Sequence, residues 1–308
     1  MNAKTTRNKR NKYTKAVVTG AAGFAGYSLT SHLVKKGYEV YAIVRPGSGH
    51  NERLKNLSLH MIEADAAELG KLPDIIDKEC DLFFHLAWSG GRDAFDEQFD
   101  NINPTVTAVE VASKLGCKRF IATGSQAEYG VQKGIITEDI LPAPINAYGA
   151  AKVSAMYLTK RRAEQLGIQW IWARIFSLYG KYEPSGRMLP DLVDKLIKEE
   201  IVELSSCLQN WDYLDVSDAA DALICLAEKG IDGEIYNVAT GNYKPLKKYV
   251  QKAVDIIASN SEVIFGDDPN PFISLQPDVS KIKEHTGWKP KTAFSDGIKN
   301  MLKDRANE

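Results

Sequence analysis

Short apolar runs alternate with helical patterns along the first 175 residues of the chain. The runs Ala16–Thr19, Glu39–Val44, Leu59–Glu63, Asp81–Ala87, Arg119–Thr123 and Gln169–Arg174 predict six strands. Between them, helical patterns cover Tyr27–Lys36, Ala66–Glu79, Pro104–Leu115 and Tyr148–Gln165. Strands that alternate with helices imply a parallel sheet covered on both faces, so the fold class is α/β, a doubly wound parallel sheet. The later chain is less regular, with Pro184, Pro190, Pro245, Pro269, Pro271, Pro277 and Pro290. It predicts a smaller lobe closing over a substrate.

Composition narrows this little. An apolar share of 44% suits a soluble domain with a substantial core, and a net charge of −1 gives no global field toward nucleic acid or membrane. No apolar run is long enough to cross a bilayer. Cys80, Cys117, Cys207 and Cys225 are scattered without metal-ligand spacing, which predicts reduced thiols in a cytoplasmic setting and no metal site. The start, Met1 to Lys15, carries six Lys and Arg residues and no acid, and predicts a solvated, disordered tail over 1–14.

Three segments carry candidate chemistry. The first strand runs into Gly20-Ala21-Ala22-Gly23-Phe24-Ala25-Gly26 and then a helical pattern. Glycines there let the chain turn tightly and let backbone amides approach a pyrophosphate at a helix N-terminus. The fifth strand ends in Thr123-Gly124-Ser125, and such an end faces the ligand crevice of a parallel sheet. In Tyr148-Gly149-Ala150-Ala151-Lys152, a spacing of four puts phenol and ammonium on one helix face. A nearby lysine charge is expected to lower the phenol pKa and to make Tyr148 a general acid or base.

Together these segments resemble the extended short-chain dehydrogenase/reductase family, the sugar-nucleotide epimerases, dehydratases and reductases. Further matching segments are His85-Leu86-Ala87, Asn101-Ile102, Arg174-Ile175-Phe176-Ser177-Leu178-Tyr179-Gly180 and Gly287-Trp288-Lys289-Pro290. The resemblance implies a Rossmann domain over 15–178, completed by about 211–240, and an interleaved substrate lobe from 179–210 and 241–308. It implies a nicotinamide dinucleotide held by Gly20, Gly23, Phe24, Ala25, Gly26, Asp65, Ala66, Leu86, Ala87, Tyr148 and Lys152. It also implies a nucleotide-sugar substrate and a homodimer through the helices at 104–115 and 148–165. The apolar positions Val106, Val109, Met156 and Leu158 of those helices serve either that interface or the core.

The second strand ends in Val44-Arg45-Pro46-Gly47-Ser48, where a carboxylate is expected for NAD. Arg45 and Ser48 there read as contacts for the extra phosphate of NADP, with NAD the lesser alternative. In the family, Tyr148 handles the substrate proton, Ser125 hydrogen-bonds the same oxygen and Lys152 contacts the nicotinamide ribose. Dehydratases place an acid and a base where this chain has Gln126 and Ala127, which disfavours dehydration. Glu128 follows and is expected to face away. The segment Gly124-Ser125-Gln126-Ala127-Glu128-Tyr129-Gly130 resembles NDP-4-keto-6-deoxyhexose reductases, and Arg45 also tilts the reading to reduction. A 4-epimerase stays open, as does a non-catalytic NADP-sensing scaffold. Gln126, Ser177, Arg187 and Trp211 are the candidate substrate contacts, with Ser177 and Trp211 standing where the family has Asn and Arg.

Overall fold

The six apolar runs become β1 (Lys15–Thr19), β2 (Glu39–Val44), β3 (His60–Glu63), β4 (Leu82–His85), β5 (Arg119–Ser125) and β6 (Gln169–Ile175). The protein is described by a computed structural model that covers residues 13–77 and 79–306. Its larger helices begin with α1 (Phe24–Lys35), the short α2 (Leu72–Ile75) and α3 (Phe95–Asp100), then α4 (Ile102–Lys114) and α5 (Ala147–Leu166). The chain continues through β7 (Ser177–Tyr179), α6 (Met188–Ile197), β8 (Val202–Leu204), β9 (Asn210–Trp211) and β10 (Tyr213–Asp215). Next come α7 (Val216–Lys229), β11 (Ile235–Val238), β12 (Lys244–Pro245) and α8 (Leu246–Ile257).

Among the described residues one sheet has the order β11-β6-β5-β4-β1-β2-β3, and all its pairs are parallel. The strand order reverses between β1 and β4, which opens a crevice at their carboxyl ends. Both sheet faces are covered by apolar helix surfaces. On one side Leu29 and Leu33 of α1 meet Leu223 and Leu226 of α7 over Val18 and Phe84. On the other, Ala108 and Val109 of α4 and Ala155 and Met156 of α5 pack on Val17, Phe83 and Phe120. A third cluster joins α6 and α8 through Leu192, Val193, Tyr213, Tyr249 and Val250.

Several expectations need correction. The predicted helix Ala66–Glu79 is a 3-10 turn, Ala66–Lys71, followed by the four-residue α2. Pro73 lacks the N–H that a continuous helix would donate to Leu69, so it is accommodated only in a new first turn. β4 stops at His85, releasing Leu86 and Ala87 into the crevice turn. Val109 and Met156 are buried core residues, whereas Leu158 is 51% exposed. Residues 1–12 of the predicted tail lie outside the described residues. Its last two do not fit the expectation: Tyr13 is buried, and Thr14 N donates to Asp81 Oδ2.

His85 ties the reversal point together. Its ring is hydrogen-bonded to Thr19 at 2.9 Å and to Thr105 at 3.2 Å, joining β1, β4 and α4. Burial holds its pKa down at about 3, so the ring is neutral.

Candidate active site

The site begins where β5 ends. Ser125 caps a 3-10 turn, Gln126–Tyr129, and its Oγ accepts a hydrogen bond from Ala127 N at 3.2 Å. Glu128 returns to accept from Ser125 N at 2.8 Å, completing a capping box. The Ser125 hydroxyl, which still has its proton to donate, lies beside the Tyr148 phenol and acts to lower its pKa. Gln126 stands half-buried beside it.

α5 carries the other partners. Its N-terminus is fixed by Asn146 Oδ1, which accepts from Gly149 N, by Arg92 O, which accepts from Tyr148 N, and by Asp93 Oδ1, which accepts from Ala147 N. One turn beyond Tyr148, the buried Lys152 Nζ donates to Thr123 O at 2.8 Å. That ammonium lies 3.6 Å from the centroid of the Trp88 ring and 5.9 Å from that of Tyr148.

Electrostatics depart from the expectation of a lowered phenol. Burial raises the Tyr148 pKa, and the Ser125 hydrogen bond and the charges of Arg92 and Arg187 oppose it only in part. Burial also lowers Lys152 to about 7, against the pull of the Glu128 carboxylate. At neutral pH the pair is therefore a protonated phenol beside a lysine close to its titration point.

The glycine turn lies against the same crevice. Gly20 adopts φ +68°, and Gly23 N donates to Gly20 O at 3.0 Å. A Cβ on Gly26 would sit 1.9 Å from Gly20 O, and one on Gly20 would sit 2.8 Å from Ala87 N. Only glycine permits this packing, which brings Leu86 and Ala87 beside the turn. Gly23 caps α1, and Phe24 and Ala25 form its first turn, so the helix N-terminus opens on the crevice. This cradle suits the pyrophosphate of a dinucleotide.

Arg45 is exposed at the end of β2, while Ser48 caps the next 3-10 turn by accepting from His50 N. From that turn Arg53 Nη1 donates to Ala22 O at 3.1 Å, and its guanidinium lies 4.4 Å from the Tyr182 ring centroid. Asp65 and Ala66 are exposed at the end of β3 on the same side. Arg187, which precedes α6, places its guanidinium 5.7 Å from the Phe24 ring centroid. Ser177 opens β7 and lies opposite Tyr213 in a parallel pair. Trp211 packs with the aromatic side chains of the second lobe, and its Nε1 is buried with no partner among the described residues.

Ser125, Tyr148 and Lys152 are thus brought together, with Arg187 close enough for its charge to reach Tyr148. Arg45, Ser48, Asp65 and Ala66 gather at the ends of β2 and β3, away from that trio. Sequence reasoning missed Trp88, Arg92 and Arg53. Trp88 follows the matched His85-Leu86-Ala87 directly, which was the available signal. Arg92 and Arg53 lie in irregular segments that carry none.

Glu128 is not exposed to a substrate. It is wholly buried, accepting from Trp172 Nε1 at 2.9 Å and paired with Arg174 at 2.7 Å. No helix among the described residues is long and apolar enough to cross a membrane.

Comparisons with known proteins agree with this architecture. The UDP-glucose 4-epimerase of Thermotoga maritima, solved with UDP-glucose, superimposes with a TM-score of 0.85 at 25% identity, covering 96% of this chain and 99% of that one. The UDP-glucuronic acid 4-epimerase of Bacillus cereus, in complex with UDP-glucuronic acid and NAD, gives a TM-score of 0.82 at 24% identity, with 96% and 99% covered. UDP-glucuronic acid decarboxylase 1 of Arabidopsis thaliana is 26% identical over 96% of this chain and 71% of its own length. The model of the NAD dependent epimerase/dehydratase family matches residues 16–239, and the chain belongs to that family of enzymes.

Proposed function

We propose that this enzyme uses NADPH to reduce the 4-keto carbon of a 4-keto-6-deoxy sugar nucleotide. The observation that carries this reading is the end of β2. No carboxylate follows Val44 there; Arg45 stands exposed, and Arg53 leans on the glycine turn from the same side. Two cations suit the extra phosphate of NADP, and a cell keeps NADPH for net reduction.

When bound, the nicotinamide supplies the hydride that adds to C4. The chain's own residues do the rest. Tyr148 donates its phenolic proton to the carbonyl oxygen, and its burial-raised pKa keeps that proton available. Ser125 donates a hydrogen bond to the same oxygen, which polarises the carbonyl and sets its distance. Lys152 stabilises the phenolate left behind until solvent restores the proton. Arg187 holds the diphosphate of the substrate, while Gln126 and Ser177 border the sugar. Trp211 packs behind that lobe. Two copies pair through α4 and α5, where Ile102, Val106 and Leu158, with Phe99 of α3, line an open surface pocket of about 410 Å³ rimmed by Arg161 and Arg162.

A second reading is a 4-epimerase, which the relatives favour, since both solved structures above are 4-epimerases and one of them holds NAD. It requires Tyr148 to begin as a base, against the raised phenol. Dehydration lacks its acid and base at Gln126 and Ala127. A sensing scaffold would have no use for the Ser125–Tyr148–Lys152 group.

The test is loss of NADPH absorbance with CDP-, GDP-, UDP- and dTDP-4-keto-6-deoxyhexoses, with Tyr148→Phe as control. Consumption that the variant abolishes supports the reductase and names the nucleotide. Retained NAD after purification, with interconversion of unreduced sugar nucleotides and no NADPH loss, replaces it by the epimerase.

A further inference from the structure

We propose that Trp88 is a positioning residue for Lys152, its indole face holding the lysine ammonium where it serves Tyr148. Lys152 is only 3% exposed, so its ammonium has exchanged most of its water for protein groups. The protein groups seen about it are the Thr123 carbonyl at 2.8 Å and the Trp88 ring centroid at 3.6 Å. A cation over an indole face is attracted by the ring quadrupole, most strongly where water is excluded. The same ring meets Tyr148 edge-on, with centroids 6.2 Å apart and planes at 85°. One aromatic side chain therefore touches both members of the reacting pair.

The ring is held in turn. Trp88 Nε1 donates to Gln98 Oε1 at 2.8 Å. Gln98 is 1% exposed, and its amide donates to Ser89 O and Gly91 O. The segment that follows supplies Arg92 O and Asp93 Oδ1 to the first amides of α5. The loop that fixes the start of α5 thus also sets the indole on Lys152. The other titratable or charged groups whose influence reaches this lysine are the Glu128 carboxylate, itself paired with Arg174, the neutral His85 and the Tyr148 phenol. Of these, the Tyr148 phenol is the one that meets the Trp88 ring.

The inference rests on the reading that Lys152 serves Tyr148, so its first test needs no substrate. In the full chain carrying ¹³C-labelled lysine, the Lys152 resonance is assigned with Lys152→Arg and titrated by NMR. Trp88→Leu is expected to lower the titration midpoint by about one unit, and Trp88→Phe, which keeps a ring face, by clearly less. Gln98→Leu frees the indole without creating a cavity beneath it, and is expected to shift the midpoint in the same direction. A folded Trp88→Leu variant with an unchanged midpoint overturns the proposal, as do equal shifts for Leu and Phe. With a turned-over substrate, Trp88→Leu is expected to lower kcat about tenfold with the NADP⁺ dissociation constant unchanged and activity restored in part by Phe. Failure of every sugar nucleotide to react counts against the proposed reaction and leaves the titration to decide the role of Trp88.

Discussion

Glu128 and Arg174 form an ion pair at 2.7 Å with side chains 0% and 1% exposed, directly behind Ser125. The other Glu128 oxygen accepts from both Ser125 N and Trp172 Nε1. Gly124 is compelled by this arrangement, because a Cβ there would lie 2.0 Å from Trp172 Nε1 and 2.3 Å from Glu128 Oε1. The Arg174 guanidinium also stacks on Tyr129 at 4.4 Å. Removing one partner of a buried pair leaves an uncompensated charge, at a cost of about 3–5 kcal/mol. Glu128→Gln is expected to lower the free energy of unfolding in urea by that amount, through a lower midpoint with its slope unchanged. Wild-type stability in the variant would show that Arg174 finds other compensation.

The glycine turn allows a sharper steric test. Gly26→Ala sets a methyl group against the Gly20 carbonyl, a backbone atom that cannot swing aside. Overpacking of this kind costs about 1–3 kcal/mol, and the displaced turn is the proposed pyrophosphate cradle. NADP⁺ affinity by calorimetry is expected to fall about 10- to 100-fold. Undiminished affinity would place the dinucleotide elsewhere.

Cofactor choice is predicted to reside in Arg45. A charged hydrogen bond to phosphate is worth about 1.5–3 kcal/mol. Arg45→Ala is therefore expected to weaken NADP⁺ by about ten- to a hundredfold and to leave NAD⁺ nearly unchanged. Equal effects on both cofactors would contradict the assignment.

The shifted lysine gives activity and stability opposite pH dependences. Folded Lys152 loses its proton near 7, whereas in the unfolded chain it keeps that proton to its ordinary value. Between those two values the unfolded state binds more protons, so this group's contribution to stability grows as pH rises and is least below 7. The charged lysine that supports Tyr148 is lost over the same range, so kcat/KM is expected to fall above about pH 7. Lys152→Arg keeps its charge at all these pH values. Its remaining activity is expected to lack the alkaline decline, and a persisting decline would assign it to another group.

The pairing of α4 and α5 is tested on its exposed rim. Leu158 is half-exposed in the single chain, so Leu158→Glu disturbs little within it. Light scattering is expected to show a dimer for the wild type and a monomer for the variant. A dimer that survives the change, or a wild-type monomer, would refute this interface.

The legible parts of the molecule were those in which local chemistry and fold agree. The strand–glycine–helix unit around Gly20–Gly26 and the four-residue spacing of Tyr148 and Lys152 are set by backbone sterics and helix period, which sequence displays directly. Ser125 was readable from its place at a strand end. The phenol's direction of shift was not, because burial outweighs the lysine and depends on everything packed around α5. Trp88 and Arg92 escaped for a related reason. They lie in a loop whose course is fixed by the side chains of Glu97, Gln98 and Asn101, partners that no periodicity announces. Pro73 is visible in the sequence, but whether a proline opens a new turn or ends a helix depends on how the segment packs, and here it divides 66–79 into a 3-10 turn and the short α2.

The account turns on where the hydride goes. The most direct measurement is mass spectrometry of the sugar nucleotide formed from a 4-keto-6-deoxy precursor and NADPH deuterated at the transferring position. Net reduction by the Tyr148 site predicts a product with deuterium on C4 and NADP⁺ formed one for one. Deuterium left wholly on the cofactor with no NADP⁺ formed, alongside interconversion of the 4-hydroxy sugar nucleotides at C4 by the enzyme with retained NAD, would contradict it and establish epimerisation.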